Sequence, residues 1–168
     1  MERIAKVLLT LPSTPRFDFV TVILKSMVNC TRFESVRPRV MEDGILNTFQ
    51  TSLLNIGVRE NREDVVYYIA ASLRALSASK SCRLDMISKG SIDLINQLMP
   101  HCNESALLFC IRALHDLLSN VNSFPSAIFD NAVNAATDVF ALVDNPDFTP
   151  EAVQTMWQYV GSVIFTCS

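Results

Sequence analysis

Glycine is scarce in this 168-residue chain, which has four: Gly44, Gly57, Gly90 and Gly161. They form no G-x-G-x-x-G or Walker-type run, so the chain has no glycine loop to cradle a phosphate. The cysteines, Cys30, Cys82, Cys102, Cys110 and Cys167, are odd in number and widely spaced, with no C-x-x-C pair. That pattern argues against a disulfide framework. There are two histidines, His101 and His115, and no G-x-S-x-G elbow. His115 and Asp116 are adjacent, so on a helix they do not face each other, although Ser119 shares the face of His115. A metal set drawn from His101, Cys102, Cys110 and His115 matches no standard zinc spacing. These absences lead to the expectation of no catalytic residues, no metal and no cofactor. Long apolar runs are also missing. The most apolar stretches, Ala106–Ile111 and Val139–Val143, fall far short of the ~20 residues that cross a bilayer, so no membrane span is expected.

Positive charge disappears after Arg112, whereas Asp116, Asp130, Asp138, Asp144, Asp147 and Glu151 follow it. Nucleic-acid binding needs a basic face and is therefore not expected. An acidic C-terminal half would instead suit a basic protein or peptide partner. The N-terminal residues Met1–Lys6 alternate charge with apolar side chains and lack the apolar core of a signal peptide. The expectation is a cytoplasmic protein, with the nucleus as second location.

Apolar residues, 49% of the chain, are abundant and recur with helical spacing. Phe19, Ile23, Met27 and Cys30 trace one helix face. Shifted by 46 positions, the same face reads Val65, Ile69, Leu73 and Leu76, and Val40, Met41 and Gly44 become Met86, Ile87 and Gly90. A third copy, 41 positions on, has Ala106, Cys110, Leu114 and Leu117, then Ala127, Ile128 and Asn131. Asn stands where the others have Gly, and both residues adopt the left-handed conformation that ends a helix. A fourth, partial copy has Met156, Val160, Ile164 and Cys167. Thr149-Pro150-Glu151, Ser13-Thr14-Pro15, Asn103-Glu104-Ser105 and Asn61-Arg62-Glu63-Asp64 read as helix starts, and Gly57 as a helix end.

Each unit is thus expected to contain a long, a short and a medium helix. The long ones span 16–31, 61–78, 103–119 and 149–167. The short ones span 35–43, 81–89 and 123–130, and the medium ones 45–55, 91–99 and 132–143. Residues 2–11 would be the medium helix of an incomplete unit.

Three helices in this span, with Met27-Val28-Asn29-Cys30-Thr31 and Leu73-Arg74-Ala75-Leu76-Ser77 followed by Val40-Met41-Glu42-Asp43-Gly44-Ile45-Leu46 and Met86-Ile87-Ser88-Lys89-Gly90-Ser91-Ile92, resemble the armadillo repeat. HEAT repeats are the nearest alternative. The resemblance implies an all-α, right-handed α-solenoid of armadillo-like three-helix repeats. It would be a single domain over 1–168, with a partial unit at 1–12, repeats at about 13–57, 58–100 and 101–145, and a partial repeat at 146–168.

The resemblance places the long helices on a concave, partner-binding side. In nuclear-import members that side carries Trp and Asn four residues apart. Here the Trp positions hold Lys25, Ala71, Arg112 and Ser162, and the Asn positions hold Asn29, Ala75, Asp116 and Thr166. Only Asn29 matches, which argues against import-type signal binding. One turn earlier stand Val22, Tyr68, Phe109 and Tyr159, three of them aromatic. The expected binding face comprises Val22, Lys25, Asn29, Tyr68, Phe109, Arg112, Asp116 and Tyr159. The expected function is a non-catalytic scaffold for a protein or peptide. The alternative is an assembly module that self-associates or continues a longer array through its terminal helices. Trp157, Val160, Val163, Ile164 and Phe165 would then leave an apolar face for a second copy.

Overall fold

The computed structural model describes residues 17–42, 44–119 and 126–167. The expected helix 2–11 and the Ser13-Thr14-Pro15 start lie outside these residues, as do positions 120–125. Among the described residues every regular element is helical and no strand occurs. The first long helix is α1 (Phe17–Thr31), followed by a 3₁₀ turn (Glu34–Val36) and α2 (Arg37–Glu42). Next come α3 (Ile45–Thr48), a π-helical turn (Phe49–Leu53) and α4 (Leu54–Arg59). The second long helix is α5 (Glu63–Ser77), with α6 (Lys80–Ser88) and α7 (Ser91–Leu98) after it. The third and fourth long helices are α8 (Glu104–Leu118) and α10 (Pro150–Cys167), on either side of α9 (Ser126–Val143).

The long helices bury their apolar stripes. Val65, Ile69, Leu73 and Leu76 of α5 are inaccessible, as are Ala106, Cys110, Leu114 and Leu117 of α8. They pack in chain order, α1 on α5, α5 on α8 and α8 on α10, and behind them α2 meets α6 and α7 meets α9. Side-chain caps start two of the long helices. Asn103 Oδ1 accepts from Ala106 N at 3.0 Å, and Thr149 Oγ1 accepts from Ala152 N at 3.3 Å.

The offset of 46 recurs in individual hydrogen bonds. Gly44 (φ +75°) and Gly90 (φ +76°) occupy the same left-handed turn, which L side chains rarely adopt. Arg37 Nε donates to Thr31 O at 2.7 Å, and Arg83 Nε donates to Ser77 O at 2.8 Å. Each guanidinium thereby satisfies a carbonyl left open at the end of a long helix. Gln50 Nε2 donates to Gly90 O at 3.1 Å, and the equivalent Asn96 Nδ2 donates to Asn131 O at 3.4 Å. The two amides thus reach equivalent positions, a left-handed turn at Gly90 and a helical residue at Asn131.

Three expectations fail. Gly57 does not end its helix, which runs on to Arg59. The end is made by Asn61 (φ +49°), with Arg62 N donating to Gly57 O at 2.8 Å and Asn61 N to Val58 O at 3.3 Å. Gly57 is instead a packing residue, because a Cβ there would lie 3.2 Å from Val66 Cγ2. Asn131 breaks nothing either, and the expected short and medium helices fuse into α9. Asn tolerates helical dihedrals as well as left-handed ones. Continuing the helix keeps Ala132, Ala135, Ala136, Val139 and Val143 buried on one stripe. Finally, the terminal apolar face is smaller than expected, since Val160 and Val163 are buried and Ile164 is half-buried. Trp157 rests on Phe140 with ring centroids 4.4 Å apart, and Phe165 remains 85% exposed.

Candidate functional site

A groove of ≈ 460 Å³ runs along the exposed side of the long helices. Lys25, Val28, Asn29 and Arg32 line one wall, at helical spacings of three and four on α1 and the residue just past it. The floor is α5 and the residue just past it, where Ala71, Ala75 and Ala78 succeed Tyr67 and Tyr68 on one face, with Arg74 beside them. Phe109 of α8 closes the far side. The small alanine side chains keep the floor low, so a bound backbone can approach the helix. The rings hold one another in place: Tyr67 meets Tyr68 edge-on at 5.3 Å and Phe109 at 5.6 Å.

The groove brings together Lys25, Asn29, Tyr68 and Phe109 of the residues expected from sequence. Val22 lies outside it, 59% exposed. Arg112, Asp116 and Tyr159 serve to tie neighbouring helices together. Arg112 Nε donates to Tyr159 Oη at 3.1 Å, with the guanidinium 5.2 Å from the ring centroid. His115 meets the same ring edge-on at 5.2 Å. Asp116 accepts from Arg74 Nη1 at 2.5 Å, joining α8 to α5. Sequence reasoning missed Tyr67, Arg32 and Arg74 as groove residues. The Ala71, Ala75 and Ala78 spacing was the available signal, because a small-residue face on an otherwise bulky helix marks an open floor.

Polar atoms in the groove are mostly donors without partners. Among the described residues, Lys25, Arg32, Asn29 and the hydroxyls of Tyr67 and Tyr68 make no side-chain hydrogen bond or ion pair. Among the described residues no carboxylate contributes to the lining. A second cleft, of ≈ 480 Å³, lies among the loops that precede α5, α8 and α10. It mixes Arg62 with Glu63, Glu104 and Asp147, so it has no single sign of charge.

The other polar clusters are mostly matched internally, although His115 Nδ1 is buried without a hydrogen-bond partner. Ser119 Oγ donates to the backbone O of His115, so it does not engage the imidazole. His115 Nδ1 lies 3.6 Å from Asp116 Oδ1. Asp64 accepts from Arg62 Nη2 and Thr21 Oγ1, both at 2.6 Å. The Arg62 hydrogen bonds are the main reason its carboxyl is lowered from 3.8 to about 2, against the opposing effect of partial burial. Cys102 Sγ and Cys110 Sγ are 3.8 Å apart, and this hydrogen bond, with burial, raises the Cys110 thiol. Among the described residues no three His, Cys, Asp or Glu side chains converge on a point where a metal ion would fit. No described helix is long and apolar enough to cross a membrane. Comparison with family models, with curated proteins and with solved structures finds no match to this chain.

Proposed function

We propose that this chain is a non-catalytic scaffold, a right-handed solenoid of armadillo-like repeats that holds a protein or peptide segment in the groove along its long helices. The observation that carries this reading is the groove itself. Tyr67, Tyr68 and Phe109 leave ring surface accessible beside a floor of alanines. Rigid rings offer large contact area at small entropic cost. The recurrence of the Gly44/Gly90 turn and of the Arg37/Arg83 bond supports a stack of equivalent units, in which a continuous outer face arises from repetition.

The test is selection of a displayed random-peptide library on the whole chain and on Ala75→Trp. Ala75 is half-buried on the groove floor, so an indole there fills the groove and leaves the core intact. Peptides enriched on the wild type are expected to lose at least about tenfold in affinity on the variant, a loss of roughly 1.4 kcal/mol. Far-UV circular dichroism is expected to be unchanged. Failure to enrich any peptide, or binding indifferent to Ala75→Trp, would overturn the reading.

A further inference from the structure

We infer that the segment this groove takes is acidic, with a bulky apolar residue among its carboxylates; this rests on the groove being the binding site. The argument is an imbalance of chemistry. The lining presents an ammonium at Lys25, guanidiniums at Arg32 and Arg74, an amide at Asn29 and phenol hydroxyls at Tyr67 and Tyr68. Every one of these groups donates hydrogen bonds, and none of the described lining side chains is a carboxylate that would accept them as an ion. Arg74 already gives one Nη to Asp116, which fixes its guanidinium at the groove wall. Lys25 and Arg32 have no ion partner among the described residues.

The matching ligand is rich in acceptors and negatively charged, because a planar carboxylate suits a guanidinium fork. Lys25 and Arg32 are seven residues apart, roughly 10 Å along the helix. That spacing accommodates carboxylates at two separated points of an extended segment, better than one compact anion. Between them the Tyr67, Tyr68 and Phe109 rings supply an apolar contact that charge alone would not use. The sign is opposite to the one expected from the charge balance of the whole chain. The carboxylates beyond Arg112 that favoured a basic partner all lie outside this lining. Three cations are too few for a nucleic-acid track, which needs a continuous basic stripe.

The same peptide selection tests the inference, now read for composition. Peptides retained by the wild type and lost on Ala75→Trp are expected to be enriched in Asp and Glu around an aromatic or large aliphatic residue. Converting those acids to Asn and Gln in the strongest peptide is expected to weaken it by about tenfold or more, with the loss shrinking at high salt. The double reversal Lys25→Glu/Arg32→Glu changes two exposed side chains. It is expected to abolish the acidic enrichment with no change in circular dichroism. Groove-dependent peptides that are neutral or basic would overturn the acidic inference and leave the groove standing. Enrichment insensitive to Ala75→Trp, or none at all, would remove both. A single-stranded RNA probe that displaces the selected peptide and binds more tightly would also overturn it.

Discussion

At the scale of single residues, charged side chains that look alike in sequence divide into two kinds. Arg37 and Arg83 are held by backbone carbonyls, whereas the Lys25 and Arg32 side chains have no partner among the described residues. Arg37 stands five residues from Arg32 in sequence, yet it is committed to Thr31 O. Asp64 yields a pH prediction. Its folded-state carboxyl sits at about 2, below the ordinary 3.8, chiefly through Arg62. A depressed acid contributes stability that is present above its unfolded value and is lost as pH falls through its folded value. Asp64→Asn is therefore expected to be less stable than the wild type at neutral pH. The gap should narrow below about 3.8 and close near 2. The effect is modest because the Asp64 side chain is 36% exposed and solvent screens the pair. Urea midpoints of the two proteins across that acid range provide the check. A difference that stays constant down to the lower limit would show that the ion pair is not its source.

At the scale of elements, the long helices were legible because two signals agree there. Apolar residues recur at three and four, and Asn103 and Thr149 cap the starts that their side chains predict. The turns were legible only where glycine is required, at Gly44 and Gly90, whose positive φ excludes most other residues. Asn131 misled because asparagine permits the left-handed turn without demanding it. Gly57 misled because a glycine also serves where two helices come close. The groove was half legible. Equivalent positions found Tyr68, Phe109, Lys25 and Asn29. Which aromatics face solvent and which tie helices together depends on partners such as Arg112 for Tyr159, and one sequence does not show those. The fused helix α9 carries its own prediction. If residue 131 sat in a left-handed turn, Asn131→Gly would relieve strain and stabilise the chain. In a helix interior the same change raises the backbone entropy cost and removes the Asn131 Nδ2 bond to Asp93 Oδ1 of 3.2 Å. Asn131→Gly is thus expected to destabilise by about 0.5–1 kcal/mol in urea unfolding. A stabilised variant would restore the helix break.

At the scale of the whole molecule, each long helix packs on its neighbours in chain order, and the proposed stack of repeats predicts a stability made of nearest-neighbour interfaces. Helices α5 and α8 are sandwiched, α5 by α1 and α8, and α8 by α5 and α10. They also share the Arg74–Asp116 pair and the Tyr67–Phe109 contact. Helix α1 packs on one long helix, α5, whereas α10 packs on α8 and on the 18-residue α9. Local opening costs least where fewest buried interfaces must separate, because each fully buried Leu, Ile or Val contributes about 1.5–3 kcal/mol. Opening α10 separates it from α8 and α9 and exposes Met156, Val160 and Val163, whereas opening α5 exposes Val65, Ile69, Leu73 and Leu76 and separates it from α1, α4, α6, α7 and α8. Amide hydrogen exchange is therefore expected to be slowest in α5 and α8, with α10 exchanging faster along its whole length. A selected peptide seated in the groove would touch α1, α5 and α8 but not α10. Its addition is expected to slow exchange in the first three helices and leave α10 unchanged. Uniform protection of all four would mean that the chain opens as one cooperative block, and the nearest-neighbour account would then fail even if the groove is real.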